Sequence, residues 1–134
     1  MKTTADLVGG WLKEGDSDLA NASLCVSSGT SLDTACFHTQ QASEKYLKAY
    51  MIAHSLSFPF IHNLEKLVDL CIAHDSSFAT IKGSAASLTP YAVALRYDDE
   101  FWPTDAETNQ AVDIANDIRK FIIDRLPAGM QPAT

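Results

Sequence analysis

The residues best suited to chemistry lie in His38-Thr39-Gln40-Gln41-Ala42-Ser43-Glu44-Lys45-Tyr46-Leu47-Lys48-Ala49-Tyr50. Ala, Glu, Lys, Leu and Gln in this run all favour helix. At about 100° per residue, His38, Gln41, Lys45 and Lys48 fall within a helical sector of about 80°. An imidazole, an amide and two ammonium groups on one face could receive an anion. Gln40 and Glu44 behave differently. They sit four residues apart among Phe37, Leu47 and Met51, in a sector that is otherwise apolar. A half-buried Gln and Glu need partners, which a neighbouring helix or a second subunit could supply. Beside the polar stripe, Ala35, Ala42, Ala49 and Ala53 form a small-residue stripe that allows another helix to come close. Further along, His62 and the Arg96-Tyr97 pair add positive charge and an aromatic ring. If these segments converge, they form a cationic pocket with aromatic walls. Against this stands a plainer reading: His38, Gln41, Lys45 and Lys48 form a solvated face, and Arg96 bridges to Asp98, Asp99 or Glu44.

Other chemistries find little support. The chain has no Gly-rich phosphate loop. Cys71 and His74 are three apart, with no second pair to complete a zinc site. Asp98, Asp99 and Glu100 read as a solvated acidic loop. Cys36 and His38 face different helical sectors and form no nucleophile–base pair. Trp11 and Trp102 read as core or interface anchors. No metal ligand set and no required cofactor is expected.

The formal net charge is −7, which opposes non-specific binding to nucleic acid, because phosphate neutralisation needs a basic field. Acids concentrate late, where residues 97–124 hold Asp98, Asp99, Glu100, Asp105, Glu107, Asp113, Asp117 and Asp124 against Arg119 and Lys120. The middle of the chain carries Lys45, Lys48 and Lys66 with His38, His54 and His62. Cys25, Cys36 and Cys71 are odd in number and widely spaced, which fits a reducing, cytoplasmic setting rather than a disulfide framework. No signal peptide or membrane span is expected. The length of 134 residues fits a single domain, here residues 1–127, followed by a frayed tail over 128–134.

Five helices and no strand are expected to position these groups. The first covers about 4–27, with Val8, Trp11, Leu12, Gly15, Leu19, Ala22 and Val26 at helical spacing. Gly9, Gly10 and Gly15 weaken it by about 1 kcal/mol each, unless a neighbour packs closely against them. The second runs from an Asp33 N-cap to Ser55, with Leu32 and Phe37 as a hydrophobic staple. The third starts after an Asn63 cap and ends near Ala73. The fourth covers about 77–96 and is kinked or split at Pro90. The fifth opens on a Thr104–Glu107 capping box and carries Ala111, Ile114, Ala115, Ile118, Phe121 and Ile122. Short connections between long amphipathic helices imply an all-α, antiparallel up-and-down bundle of four to five helices.

The run from His38 to Tyr50 resembles the signature helix of HEPN domains, the higher-eukaryote and prokaryote nucleotide-binding family. That signature is an aromatic, His, two Gln, Ala, then Glu-Lys-x-Leu-Lys-Ala. His62-Asn63-Leu64 is similar to the family's His-Asp-Leu element, with Asn63 in place of Asp. Tyr91 and Arg96-Tyr97 are similar to its Tyr followed by Arg-Tyr-Pro, with Asp98 in place of Pro. The elements come in the family's order. The resemblance implies a helical bundle that forms a homodimer and binds a nucleotide, such as ATP, or a nucleic acid. It also implies a small nucleotidyltransferase as partner in a two-component, toxin–antitoxin-like system. The nucleotide or anion site would comprise His38, Gln41, Lys45, Lys48, His62, Arg96 and Tyr97, with Gln40 and Glu44 in dimer or buried polar contacts. Ribonuclease members place a His four to six residues after an Arg on the last helical segment. The arginines here are Arg96, Arg119 and Arg125, and the last histidine is His74. That catalytic pair is therefore absent. The alternatives are a ribonuclease toxin with a different site, or a purely structural dimerisation domain.

Overall fold

The computed structural model describes residues 1–92 and 102–132. It is all-helical, with no strand among the described residues. Among the described residues, five α-helices follow in order: α1 (Thr4–Ser28), α2 (Leu32–Ala53), α3 (Leu64–His74), α4 (Lys82–Leu88) and α5 (Asp105–Asp124). The expected helical-bundle class is what forms. Local chemistry explains most of the boundaries. Thr3 and Asp6 form a capping box at the start of α1, and Gly29 ends it in the left-handed conformation at φ 67°, which glycine adopts without a Cβ penalty. The Asn63 side chain accepts from the Lys66 N–H and caps α3. Thr104 and Glu107 cap α5 reciprocally.

Two stretches depart from the sequence expectations. Helix α2 begins one residue before Asp33, because Ser31 turns into the left-handed region at φ 53° and makes no side-chain cap. Leu32 is then the first helical residue, so it cannot staple to Phe37 from outside the helix. Asp33 instead complements the helix dipole from the first turn. The expected fourth helix is broken up into a 3-10 turn over Ser76–Ile81, the short α4, and a second 3-10 turn over Thr89–Ala92. Thr80 and Ser87 each donate a side-chain hydrogen bond to the carbonyl three residues back. Such bonds compete with a regular helical ladder, and Pro90 has no N–H to continue one. Near the C-terminus, Ala128–Met130 forms a 3-10 turn rather than a frayed end. Met130 packs on the core, Leu126 is buried, and the Gln131 amide donates to the Leu126 carbonyl.

Helix α2 is the centre of the molecule. It packs on α1 most extensively, and also on α5, α3 and the second 3-10 turn. Tyr46, Leu47, Tyr50 and Met51 are fully or almost fully buried, and each such side chain stabilises the fold by roughly 1.5–3 kcal/mol. Ala35, Ala42 and Ala49 are also fully buried within the chain, so intrachain packing takes up three of the four positions of the small-residue stripe, and Ala53 is partly buried. Gly15 lets α1 approach α2 because it has no side chain. A Cβ there would lie 2.7 Å from Cε1 of Tyr46. Gly9 and Gly10 face open space. None of the described helices is long and apolar enough to cross a membrane.

Candidate functional site

Helix α2 carries two adjoining polar networks, each organised by one carboxylate. The first belongs to Asp18 of α1, which lies one turn beyond Gly15 and so faces α2. Its Oδ1 is 2.8 Å from His38 Nδ1, and its Oδ2 is 2.5 Å from Lys45 Nζ. A carboxylate can only accept, so His38 donates its Nδ1–H and its Nε2 is left uncommitted. The Asp18 side chain is 12% exposed, against 24% for His38 and 22% for Lys45. The two α2 groups therefore reach solvent, while their shared anion is held between the helices.

The second network is centred on Glu44. Lys48 Nζ lies 3.0 Å from Glu44 Oε2, one helical turn along, and both side chains are 7% exposed. His62 Nδ1 lies 2.8 Å from Glu44 Oε1. The Gln40 amide donates to Glu44 Oε1 at 3.3 Å and to the His62 carbonyl at 2.9 Å, so the loop before α3 is fixed by both backbone and ring. Gln41 donates to the Gln40 Oε1. The odd apolar-sector position of Gln40 and Glu44 is thereby explained inside one chain: their partners are Lys48, His62 and each other. The Lys48 ammonium also sits 5.9 Å from the Trp11 ring centre and 5.5 Å from that of Phe58, a distance at which the ring quadrupoles attract a cation. Trp11 and Phe58 meet edge to face, and Trp11 is only half-buried. The other tryptophan, Trp102, is 65% exposed.

Five of the expected site residues, His38, Gln41, Lys45, Lys48 and His62, are thus brought to α2 and its immediate neighbours. Arg96 and Tyr97 lie outside the described residues. Among the described residues, the two lysines expected to supply positive charge are each paired with a carboxylate, Lys45 with Asp18 and Lys48 with Glu44. The sequence reading did not single out Asp18, although a signal was present. This acid interrupts the apolar stripe of α1 beside Gly15 and Leu19, so it had to face another helix and required a cation there.

Two further polar clusters support the bundle. Tyr46 donates to Asp16 Oδ1 at 2.6 Å, and Arg119 of α5 donates to both oxygens of Asp16. Burial raises the Asp16 pKa, but the hydrogen bonds from Arg119 and Tyr46 outweigh it and hold the carboxyl below its ordinary value. Burial, then the bond to Asp16, pushes the Tyr46 phenol strongly upward. At the other end of α2, the Tyr50 hydroxyl meets His74 Nδ1 at 2.7 Å, and His54 Nε2 donates to the Arg125 carbonyl. Cys71 is buried, and burial pushes its thiol up to about 12, so with His74 committed to Tyr50 this pair offers neither a thiolate nor a metal ligand set. Cys36 points to Thr108 of α5, away from His38. No group of three or more His, Cys, Asp or Glu side chains among the described residues could hold a metal ion.

Comparison with known proteins places the arrangement. The chain is similar to the crystal structure of TT1696 from Thermus thermophilus, with a TM-score of 0.74 and 25% identity over 89% of this chain and 98% of that one. It is also similar in fold to ST0689, an archaeal HEPN homologue, with a TM-score of 0.73 and 22% identity over 95% of this chain and 100% of that one. A search among curated proteins finds no match. The family model of the HEPN domain matches residues 8–126, which takes in most of α1, all of α2 through α5 and both carboxylate networks; the chain belongs to the HEPN domain family.

Proposed function

We propose that the chain is a non-catalytic binding module. Its α2 face takes a nucleotide-type ligand or a nucleotidyltransferase-domain partner, and the module acts as a homodimer in a cytoplasmic, toxin–antitoxin-like pair. One observation carries the reading: two buried carboxylates fix His38, Lys45, Lys48 and His62 in set orientations along one face. Side chains ordered before a ligand arrives lose little entropy on binding. The missing Arg-then-His pair argues for recognition rather than for the family's phosphodiester chemistry. Arg96 and Tyr97 belong to the proposed face on the strength of the sequence resemblance. The test is a calorimetric titration of the purified protein with nucleosides and nucleotides, together with size-exclusion chromatography alongside a small nucleotidyltransferase-domain protein. Heat at millimolar ligand or a co-eluting complex is expected. Silence in both experiments would end the reading.

A ribonuclease reading draws on a separate feature. His38 and His62 are both imidazoles backed by a carboxylate, an arrangement that orients a ring for proton transfer. Incubation with mixed RNA separates the two ideas. Cleavage that disappears in His38→Ala or His62→Ala would replace the binding module with an enzyme.

A further inference from the structure

His38 and Lys45 stand seven residues apart on α2, about 10 Å along the helix axis. Asp18 draws their tips together. Its Oδ1 lies 2.8 Å from His38 Nδ1 and its Oδ2 lies 2.5 Å from Lys45 Nζ, so an imidazole and an ammonium from different turns meet at one carboxylate. Each keeps hydrogen-bonding capacity beyond Asp18. The ring still has Nε2, and the ammonium still has two N–H groups. Both side chains reach solvent. The Glu44 network offers less, because Lys48 is only 7% exposed and lies under Trp11 and Phe58. A tetrahedral anion has enough oxygens to accept from His38 and Lys45 at once. We propose that the Asp18 network is where the α2 face takes the phosphate group of its ligand, and that it does so together with a proton gained by His38. This proton-linked site rests on the nucleotide-type ligand of the proposed function and sets the pH at which that ligand is held.

The protonation state of His38 decides whether an anion is accepted. In the neutral ring, Nδ1–H donates to Asp18 and Nε2 carries a lone pair. A phosphate oxygen is also an acceptor, so the two repel. The side chains of His38, Lys45 and Asp18 then sum to zero charge, within a chain of −7. A proton on Nε2 turns that lone pair into a donor and gives the cluster one net positive charge. The bond from Nδ1–H to Asp18 is kept, so the ring needs no rearrangement. Among the described residues, the charged groups set against this ring are Asp18 from α1 and Lys45 from α2. Arg119 of α5 is engaged by Asp16, and Lys48 by Glu44. The Phe37 ring meets the imidazole edge to face and adds no charge. Histidine is the side chain whose charge changes between about pH 5 and 8, and an anion that prefers the protonated ring must promote its protonation in turn. Asp18 is the positioning residue of the site. It orients the ring, and it cancels Lys45, which is what makes the proton necessary.

The test titrates the full chain by calorimetry at pH 6 and pH 8. The probes are sodium sulfate and the four nucleoside 3′,5′-cyclic phosphates, whose charges stay constant over that range. Binding should be about tenfold tighter at pH 6. Titration at pH 7 in two buffers of different ionisation heat should show uptake of roughly half a proton or more. His38→Asn keeps an amide donor near Asp18 but takes no charge, and should bind at both pH values as weakly as the unaltered chain does at pH 8. Asp18→Asn leaves Lys45 uncancelled. It should bind at pH 8 about as tightly as the unaltered chain does at pH 6, with its pH dependence reduced to less than about threefold. An Asp18→Asn variant that folds and binds more weakly at both pH values would show a purely structural carboxylate and overturn the inference. Equal affinities at pH 6 and pH 8, or a tightening at pH 6 that survives in His38→Asn, would also overturn it and leave the binding module intact. His38→Asn alters a part-exposed side chain, so it decides the matter even if Asp18→Asn does not fold. Absence of binding by every probe at both pH values would remove both this inference and direct nucleotide binding, leaving only the protein-partner arm of the proposed function.

Discussion

The Asp18 and Glu44 networks use the same three kinds of group, a carboxylate, a lysine and a histidine, yet do different work. Asp18 comes from α1 and takes both of its partners from α2, so it ties two helices together across their interface. Its lysine and histidine keep contact with solvent, at 22% and 24% exposure. Glu44 takes its lysine from its own helix, and that lysine is almost as buried as the carboxylate. His62, at 65% exposure, is where this network opens most widely to water. The lesson is that an ion pair's consequence depends on what remains when one member is lost. Removing Asp18 frees a lysine that can turn to water. Removing Glu44 strands a cation under Trp11 and Phe58.

The largest expected effect comes from this difference. Glu44→Gln should destabilise the fold by about 3–5 kcal/mol, because a buried charge loses its compensation. Asp18→Asn should cost about 1.5–3 kcal/mol, the usual range for hydrogen bonds to a charged group. Urea denaturation of the two variants makes the comparison directly, and an equal or larger loss for Asp18→Asn would refute the contrast. The double variant Glu44→Gln with Lys48→Met should recover much of the loss, since it replaces the pair with polar and apolar groups and leaves no stranded charge.

A second, smaller effect tests whether the α1–α2 interface depends on close approach as well as on charge. Gly15→Ala gains helix propensity but drives a methyl into the Tyr46 ring, so a net loss of about 1–3 kcal/mol is expected from overpacking. The equivalent changes at Gly9 and Gly10, which face open space, should each stabilise by about 1 kcal/mol. Thermal unfolding of the three variants would show opposite signs. A stabilising Gly15→Ala would mean that Tyr46 has room to move.

The smallest effects concern pH. The Asp16 carboxyl has a folded-state pKa below its ordinary 3.8, so its contribution is present above that value and is lost as pH falls through the lowered one. The Tyr50 phenol has the opposite sign. Its pKa is raised from 10.0 to about 12, mainly by burial, so its contribution is present below pH 10 and is lost as pH rises towards 12. Stability measured across pH should therefore fall at both extremes. In Tyr50→Phe the alkaline loss should shrink, while an unchanged alkaline limb would show that Tyr50 has no part in it.

Much of this molecule is written locally. The capping box at Thr104 and Glu107, the Asn63 cap and the apolar stripes of α1, α3 and α5 follow from residue spacing alone, because each depends on contacts three or four residues apart. The motif run on α2, and with it the family, is also local, and so is the absence of an Arg-then-His pair. The breakdown of the expected fourth helix was harder to read, since Pro90 marks a break without saying that one 3-10 turn will precede α4 over Ser76–Ile81 and another will contain the proline over Thr89–Ala92. The tertiary structure alone decided the electrostatic character of the α2 face. Lys45 and His38 look like free cationic groups in one dimension. They are balanced because Asp18, twenty or more residues earlier, is carried against them when Gly15 lets α1 close on Tyr46. Charge balance in a pocket is set by distances of a few ångströms between side chains far apart in the chain, and only the packing of one helix on another fixes those.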